Sequence, residues 1–158
     1  MKKERFISTK VFDGFSTVFR QWKAETTHCK YLHGYGVSFK IYFTGKLDER
    51  NWVWDFGGMK RAEGKIDGLS PKDWMDHMFD HTFIVAQDDP YVNAFTRMGE
   101  AGVAQIRLVE NTGAEAFAKL VYQKINAFVL AETKGRVRVQ KVEFNEHGKN
   151  GAIYEPGE

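Results

Sequence analysis

The pattern of apolar and polar positions predicts that the chain opens with strands. Residues 5–22 are dense in Phe, Val, Ile and Thr, which suit a half-buried pleated surface, and Asp13-Gly14 predicts a bend within them. Apolar and polar residues then alternate over residues 36–45, which predicts an antiparallel strand with one wetter face. Residues 52–56 predict a further short strand that ends at Gly57-Gly58.

The next pattern is helical. A first helix is expected after Gly58, restarting at Ser70-Pro71 because proline suits the first turn, and ending near Phe79. Between residues 114 and 129 apolar side chains recur every three or four positions, which predicts an amphipathic helix suited to packing on a sheet. Thr112 and Glu115 have the spacing of a capping box at its start.

The C-terminal region predicts the last strands. Val137 and Val139 have one parity and Val142 and Phe144 the other, so a bulge is expected near Gln140, with a short strand following at residues 152–154. Strands and helices grouped in this way predict an α+β fold, with an antiparallel sheet covered by helices on one face. No repeat or low-complexity linker divides the sequence, so residues 1–158 are interpreted as one domain.

Composition narrows the functional classes. The net charge is +2, from 23 Lys and Arg against 21 Asp and Glu, so no basic excess points to nucleic acid. No apolar run approaches the roughly 18 residues of a membrane span, so no membrane partner is expected. With a single cysteine, Cys29, and no export signal at the N-terminus, a reducing, cytoplasmic location is expected. Aromatic residues, at 15%, are the one unusual excess.

Three segments carry candidate chemistry, where ionisable and sulfur groups are expected to lie where a sheet meets loops: residues 28–35, residues 76–82, and residues 142–154, which include Glu146 and His147. Cys29 lies between His28 and Lys30, whose positive charges would favour a thiolate, and Asp80-His81 could orient a general base. The alternatives are structural: a lone cysteine is more often a small buried apolar residue, and Asp-His neighbours often mark an exposed helix end. Composition and spacing alone therefore predict only an α+β domain with a candidate thiol site.

Six segments, taken in order along the chain, resemble landmarks of one family. They are Phe15-Ser16-Thr17-Val18-Phe19, Cys29-Lys30-Tyr31-Leu32-His33-Gly34-Tyr35, Asp55-Phe56, Asp80-His81, Thr112-Gly113-Ala114-Glu115, and Glu146 with Tyr154. The 6-pyruvoyl tetrahydropterin synthases and 6-carboxytetrahydropterin synthases carry similar segments in the same order. Any one of these motifs would be weakly specific, but the six together identify the chain as similar to that family.

The resemblance implies a fold and an assembly. It implies the tunnelling fold, in which an antiparallel four-stranded sheet with two helices on one face forms a barrel as a trimer, and two trimers often stack as a hexamer. The sites would lie between subunits, and self-association would give the aromatic excess a role in interfaces. The small-molecule partner would be a pterin or a purine nucleotide.

The resemblance also implies roles for particular residues. Cys29 matches the catalytic thiolate, and Asp80 with His81 matches the pair that relays its protons. Glu146 matches the carboxylate that anchors the pterin ring through two hydrogen bonds. Glu115 matches a second acidic residue, which is either a substrate-binding residue or a member of the capping box.

The metal ligands depart from the family pattern. The family holds zinc with three histidines, and the matching positions here are Phe19, His33 and Tyr35. One imidazole does not make a three-histidine site, so we expect the usual zinc site to be lost. Replacement ligands are conceivable at His28 with His33, or at His77 with His81 at the four-residue spacing of a helix. Ordinary exposed histidines are the more common meaning of such spacings.

Two functions stay open at this point. The first is a lyase of the pterin or 7-deazapurine (queuosine) routes, acting on 7,8-dihydroneopterin triphosphate, which the matches at Cys29, Asp80 and His81 favour. The second is a non-catalytic protein that binds a pterin or purine nucleotide through Glu146, which the loss of two zinc histidines favours. A purely structural barrel has no specific support in the sequence.

Overall fold

The computed structural model describes residues 2–157, and within them six strands form one sheet. The strand order is β4-β3-β1-β2-β5-β6. The elements in chain order are β1 Ile7–Phe19, β2 His33–Gly45, α1 Gly58–Arg61, α2 Pro71–Phe79, β3 Thr82–Ala86, α3 Val92–Glu100, β4 Ile106–Val109, α4 Ala114–Glu132, β5 Val137–Glu146 and β6 Asn150–Tyr154.

The antiparallel part of the sheet confirms the predicted α+β architecture. Strands β1, β2, β5 and β6 pair antiparallel, each with its neighbour. The predicted bend at Asp13-Gly14 is a register shift between Phe12 and Phe15, with Gly14 at φ 78°. The predicted bulge at Gln140 is also present, because the pairing of β2 with β5 skips that residue. Both irregularities let each strand keep its apolar side chains on the buried face.

Two strands of the sheet were not predicted. β3 and β4 run parallel to β1 and extend the sheet beyond its antiparallel part, and α3 connects them. All five residues of β3 are buried, so its sequence is a continuous apolar run without alternation. That run was the available signal for a strand buried on both faces.

Two local predictions were wrong. Residues 52–56 form no strand, because the Asp48 carboxylate binds the N–H groups of Arg50 and Trp52 and folds this segment into a turn. The capping box is also absent: α4 begins after Gly113 without a side-chain cap, and the Thr112 hydroxyl instead donates to the carbonyl of Arg20 at 2.7 Å. That hydrogen bond joins the start of α4 to the end of β1.

The core lies between the sheet and the helices that cover it. The predicted apolar stripe of α4 is buried, and its members are Phe117, Ala118, Val121, Ile125, Phe128 and Val129. Helix α4 packs on β5 and β6, and α2, capped by the Ser70 side chain with Pro71 in its first turn, packs against β1. Among residues 2–157 no helix is long and apolar enough to cross a bilayer.

Candidate functional site

The candidate site lies at one end of the antiparallel strands. Phe19 at the end of β1 pairs with His33 at the start of β2, and Val37 of β2 pairs with Glu146 at the end of β5. Residues opposite each other in a ladder share a face, and residues two apart on one strand do too. Phe19, His33, Tyr35 and Glu146 therefore belong to the same face of the sheet.

Four rings on this face form what we call the aromatic column: Phe19, Tyr35, His33 and His147. The Phe19 and Tyr35 rings stack with centroids 3.9 Å apart and planes 13° apart. The His33 ring centroid lies 4.2 Å from that of Tyr35, and the His147 ring stacks on Tyr35 at 5.6 Å. The edge of Phe117 from α4 contacts Phe19 at 4.9 Å, so the buried end of the column is part of the core.

The residues at the family's zinc position do not fit a zinc ion. Phe19 has no ligand atom, and its ring is stacked directly on Tyr35, leaving His33 as the single imidazole of the three. Within residues 2–157 no three His, Cys, Asp or Glu side chains are grouped so that they could hold a metal. Zinc typically needs three protein ligands in a catalytic site, which the aromatic column does not supply.

The Tyr35 hydroxyl shares this end of the sheet with two predicted site residues. Burial raises the pKa of Tyr35 to about 12, and the negative charges of Glu146 and of a Cys29 thiolate add to the effect. Tyr35 therefore stays a neutral hydroxyl at physiological pH. Tyr35 and the partly exposed Glu146 thus share one face at this end of the sheet, and the turn that contains Cys29 leads into β2 there.

Cys29 occupies a single 3-10 turn, His28–Lys30, which we call the Cys29 turn. The turn has no fully buried residue, and the Cys29 side chain is free and partly exposed. The N–H of Gln21 donates to the Cys29 carbonyl at 2.8 Å, which ties the turn to the chain just beyond β1. Cys29 is therefore not a fully buried packing residue.

Asp80 and His81 form the predicted pair. Nδ1 of His81 lies 3.1 Å from the Asp80 carboxylate, and the N–H of Ser16 donates to the same carboxylate at 3.2 Å. Partial burial would raise the pKa of Asp80, but these two partners hold that pKa below its usual range. His81 has a left-handed φ of 56°. Its ring contacts Asp80 through Nδ1, and the remainder of the ring is open to solvent, because the side chain is 78% exposed.

A groove of about 360 Å³ runs beside His81 and is also lined by Leu32, Met98 and Val103. Leu32 follows the Cys29 turn by two residues, so the groove extends from the Asp80-His81 pair toward that turn. Within residues 2–157, however, no hydrogen bond or ion pair joins Asp80 or His81 to Cys29 or Glu146. One chain thus presents two groups of site residues, which are not in direct contact.

The remaining candidates take more ordinary positions. Glu115 is exposed in the first turn of α4. The helical spacing proposed for His77 and His81 is wrong, because α2 ends at Phe79. Nδ1 of His77 lies 3.2 Å from the Arg107 guanidinium, and burial together with that charge lowers the pKa of His77.

Sequence reasoning gave no role to His147, although it lies in a candidate segment, and missed Arg20. His147 follows the anchor Glu146 in a turn and stacks on Tyr35, and its adjacency to Glu146 was the available signal. Arg20 follows Phe19 and forms a two-point ion pair with Asp89, 69 residues away, at 2.6 and 2.8 Å. Nothing in the sequence pairs residues so far apart.

The mixed α+β sheet and the residues at its end define a protein of the tunnelling-fold class. A sequence profile described as 6-pyruvoyl tetrahydropterin synthase matches residues 8–157. The chain therefore belongs to the 6-pyruvoyl tetrahydropterin synthase family.

Individual relatives agree with this assignment. A protein of Halobacterium salinarum named probable 6-carboxy-5,6,7,8-tetrahydropterin synthase is 29% identical over 115 residues, covering 73% of this chain and 67% of that protein. An uncharacterised protein of Wolinella succinogenes has a TM-score of 0.80 at 19% identity, covering 98% and 100% of the two chains. The Caenorhabditis elegans 6-pyruvoyl tetrahydropterin synthase has a TM-score of 0.63 at 16% identity, with 99% of both chains covered. At these identities the two solved structures show a shared fold.

Proposed function

We propose that this protein is a carbon–oxygen lyase that acts on 7,8-dihydroneopterin triphosphate or a related pterin. The observation that carries the proposal is the Asp80-His81 pair, fixed at its base by Ser16 and open to a groove at its tip. A group that accepts and passes on a proton needs that combination of orientation and access. A partly exposed Cys29 and a partly exposed Glu146 at the end of the same sheet supply the other groups.

The proposed reaction is an elimination. The Cys29 thiolate removes a proton from a side-chain carbon of the substrate, and the electron pair of that C–H bond forms a new double bond. Triphosphate leaves with the electrons of the adjacent C–O bond, and the Asp80-His81 pair carries the proton away. The three-histidine zinc plays no part in this proposal, because Phe19 and Tyr35 occupy two of its positions.

Glu146 is proposed as the specificity residue. A carboxylate can accept two hydrogen bonds from the amino-pyrimidinone edge that pterins share with guanine. A ligand lacking those donors would leave the carboxylate unpaired, which disfavours its binding.

We also propose that the site is completed by self-association as a trimer or a hexamer. Strand β6 is one edge of the sheet, and among the described residues β1 pairs with β3 only at Thr17 and Val18, so the first half of β1 leaves an edge open. Ile7, Val11 and Ile153 on these two strands are about half exposed. Joining β6 of one subunit to β1 of the next would close a barrel and bring one subunit's Cys29 near another's Asp80-His81 pair. A cytoplasmic location, suited to a single reduced thiol, is part of the same proposal.

The test is incubation with 7,8-dihydroneopterin triphosphate, with and without added zinc, followed by measurement of triphosphate release and of the pterin product. Cys29→Ala should abolish release, and Glu146→Gln should raise KM. Glu143→Gln is the matched control, because Glu143 lies on the other face of β5, where it accepts from the Tyr42 hydroxyl at 3.1 Å. No product under either condition from a correctly assembled oligomer would overturn the lyase proposal.

A second candidate is a non-catalytic pterin or purine nucleotide binder, favoured by the aromatic column at the zinc position. Calorimetry with pterins and guanine nucleotides separates the two functions. Binding that depends on Glu146 but not on Cys29, without turnover, would support the binder. An absence of binding to any of these ligands would contradict both functions.

A further inference from the structure

The Arg20 guanidinium contacts two segments that are distant in sequence. Its Nε and Nη2 atoms donate to the two carboxylate oxygens of Asp89, at 2.8 and 2.6 Å. Its Nη1 atom donates to the carbonyl of Lys30, the last residue of the Cys29 turn, at 3.2 Å. One side chain thus joins the end of β1, the Cys29 turn and the connection between β3 and α3.

The pair that Arg20 forms with Asp89 is well ordered by its surroundings. The Asp89 side chain is 2% exposed and that of Arg20 is 18% exposed. The N–H of Tyr91 also donates to Asp89, at 2.9 Å, and the rings of Tyr91 and Phe95 lie 5.5 and 5.9 Å from the guanidinium carbon. A two-point contact held between aromatic rings fixes the orientation of a guanidinium.

The Cys29 turn depends on β1 for its anchors. None of its three residues is fully buried, so packing alone does not hold it. Besides the local hydrogen bonds with its neighbours Thr27 and Tyr31, the turn makes two hydrogen bonds to more distant described residues. They come from consecutive residues, the Arg20 guanidinium to Lys30 and the Gln21 N–H to Cys29. The position of the thiol is therefore set at the end of β1, where Phe19 enters the aromatic column.

We propose that Arg20 is a positioning residue for Cys29. Held by Asp89, it fixes the Cys29 turn and with it the direction of the thiol toward the site. The consequence for turnover rests on the proposed function, whereas the effect on the turn does not. Lysine could not replace arginine here, because an ammonium cannot contact both Asp89 oxygens and the Lys30 carbonyl in one fixed plane.

The test measures the turn directly, in Arg20→Met and Arg20→Lys. Amide hydrogen exchange of peptides within residues 21–31 should accelerate ~10-fold or more in Arg20→Met, because local opening becomes easier, while peptides of α4 and β5 keep their rates. Cys29 is the one cysteine of the sequence, so alkylation by iodoacetamide reports on its thiol alone. The plateau of the alkylation rate against pH should rise ~3-fold or more as access increases. Arg20→Lys should recover only part of each effect.

Lys23→Met is the matched control. Lys23 pairs with Asp88 at 3.3 Å, between nearly the same two segments, but its side chain is 63% exposed. Among residues 2–157 no hydrogen bond or ion pair joins the Lys23 ammonium to the Cys29 turn. Lys23→Met should leave both the hydrogen exchange of residues 21–31 and the alkylation of Cys29 at wild-type rates. If Arg20→Met behaves like Lys23→Met, or if exchange accelerates equally in all elements, the positioning proposal is overturned.

Asp89→Asn provides a second route if Arg20→Met fails to fold, since it keeps the shape of the side chain while weakening its hold on Arg20. It should accelerate exchange in residues 21–31, and wild-type rates there would contradict the proposal. Turnover is measured separately, with a fall in kcat at nearly constant KM expected. A changed turn without triphosphate release by the wild-type protein supports the positioning role and contradicts only the lyase.

Discussion

The aromatic column and the Asp80-His81 pair both depend on β1, yet their surroundings are opposite. In the column Phe19 is fully buried and Tyr35 is 4% exposed, so these rings belong to the core. The Asp80 carboxylate is bound by the N–H of Ser16, three residues earlier on the same strand, and the His81 side chain is 78% exposed. One strand therefore carries a closed apolar position and an open polar one a few residues apart.

The difference indicates which parts of the family's site are under a packing constraint in this chain. Where the family has zinc ligands, Phe19 and Tyr35 stack on each other, and the closed position contributes stability. Where the family has its proton-relay pair, the charged groups keep their orientation and their access. The residues proposed for proton transfer and ligand anchoring are thus separate from the positions of the family's metal ligands.

Placing histidines at the two lost zinc positions should have the largest effect on the aromatic column. In Phe19→His/Tyr35→His the three family positions would again be imidazoles, with His33 as the third. Without metal we expect a loss of ~1–3 kcal/mol for each imidazole buried without a partner, in addition to the lost packing of Phe19. Zinc should then bind at one ion per chain and raise the melting temperature. Elemental analysis and thermal unfolding with and without zinc provide the measurement.

Adding His33→Ala to that double variant is the control. It removes one of three ligands, so stoichiometric zinc and the thermal shift should both disappear. Stoichiometric zinc in the wild-type protein would contradict the assignment of the column to packing, and would require ligands outside the three family positions.

Truncating one residue from each region should sharpen the comparison. Phe19→Ala should lower the free energy of unfolding by ~3–5 kcal/mol, because it leaves a cavity beside Tyr35 and Phe117. His81→Ala should change it by no more than ~0.5 kcal/mol, since the side chain is exposed. Urea unfolding measures both. Equal losses from the two variants would mean that His81 is structural and not free for proton transfer.

The sequence allowed the antiparallel strands and α4 to be predicted because local patterns determine them. Alternation defined β2, the parity change at Gln140 defined the bulge, and the stripe defined α4. β3 was missed because a strand buried on both faces does not alternate. Local patterns therefore predict elements with one exposed face, whereas a strand buried on both faces is set by its tertiary partners.

The site was predictable to a different extent, because its identity came from motif order and its geometry came from tertiary contacts. Cys29, Asp80 and His81 could be named from their order along the chain. Long-range pairing, which no local pattern encodes, stacks Phe19 on Tyr35. It also brings Arg20 to both Asp89 and the Cys29 turn.

The Tyr35 hydroxyl should make the free energy of unfolding depend on pH in the alkaline range. Burial raises the pKa of Tyr35 to about 12, whereas an unfolded tyrosine titrates near ~10. Between these values the unfolded state loses its proton and the folded state keeps it, so stability falls as pH rises, by up to ~1.4 kcal/mol per pH unit. Tyr35→Phe should lack this loss. Urea unfolding at pH 9 and pH 11 measures this loss of stability, and Tyr31→Phe, at an exposed tyrosine, is the control. Identical pH dependence in Tyr35→Phe and wild type would show that the Tyr35 hydroxyl is solvated.

Asp80 should make the free energy of unfolding depend on pH in the acid range, with a smaller effect than that of Tyr35. Its folded pKa lies below the unfolded value of ~3.9, so its contribution is fully present above that value and is lost as pH falls through the folded pKa. Asp80→Asn should cost ~0.5–1 kcal/mol at pH 7, below the ~1.5–3 kcal/mol typical of charged hydrogen bonds because the side chain is 35% exposed. The difference from wild type, compared at pH 7 and at acid pH, should shrink toward zero as the pH falls through the folded pKa of Asp80. Asp67→Asn, which removes a carboxylate from an exposed pair with Lys124, is the control and should stay within ~0.5 kcal/mol at both pH values. A pH-independent cost of Asp80→Asn would mean that its shape, and not its charge, holds His81 in place.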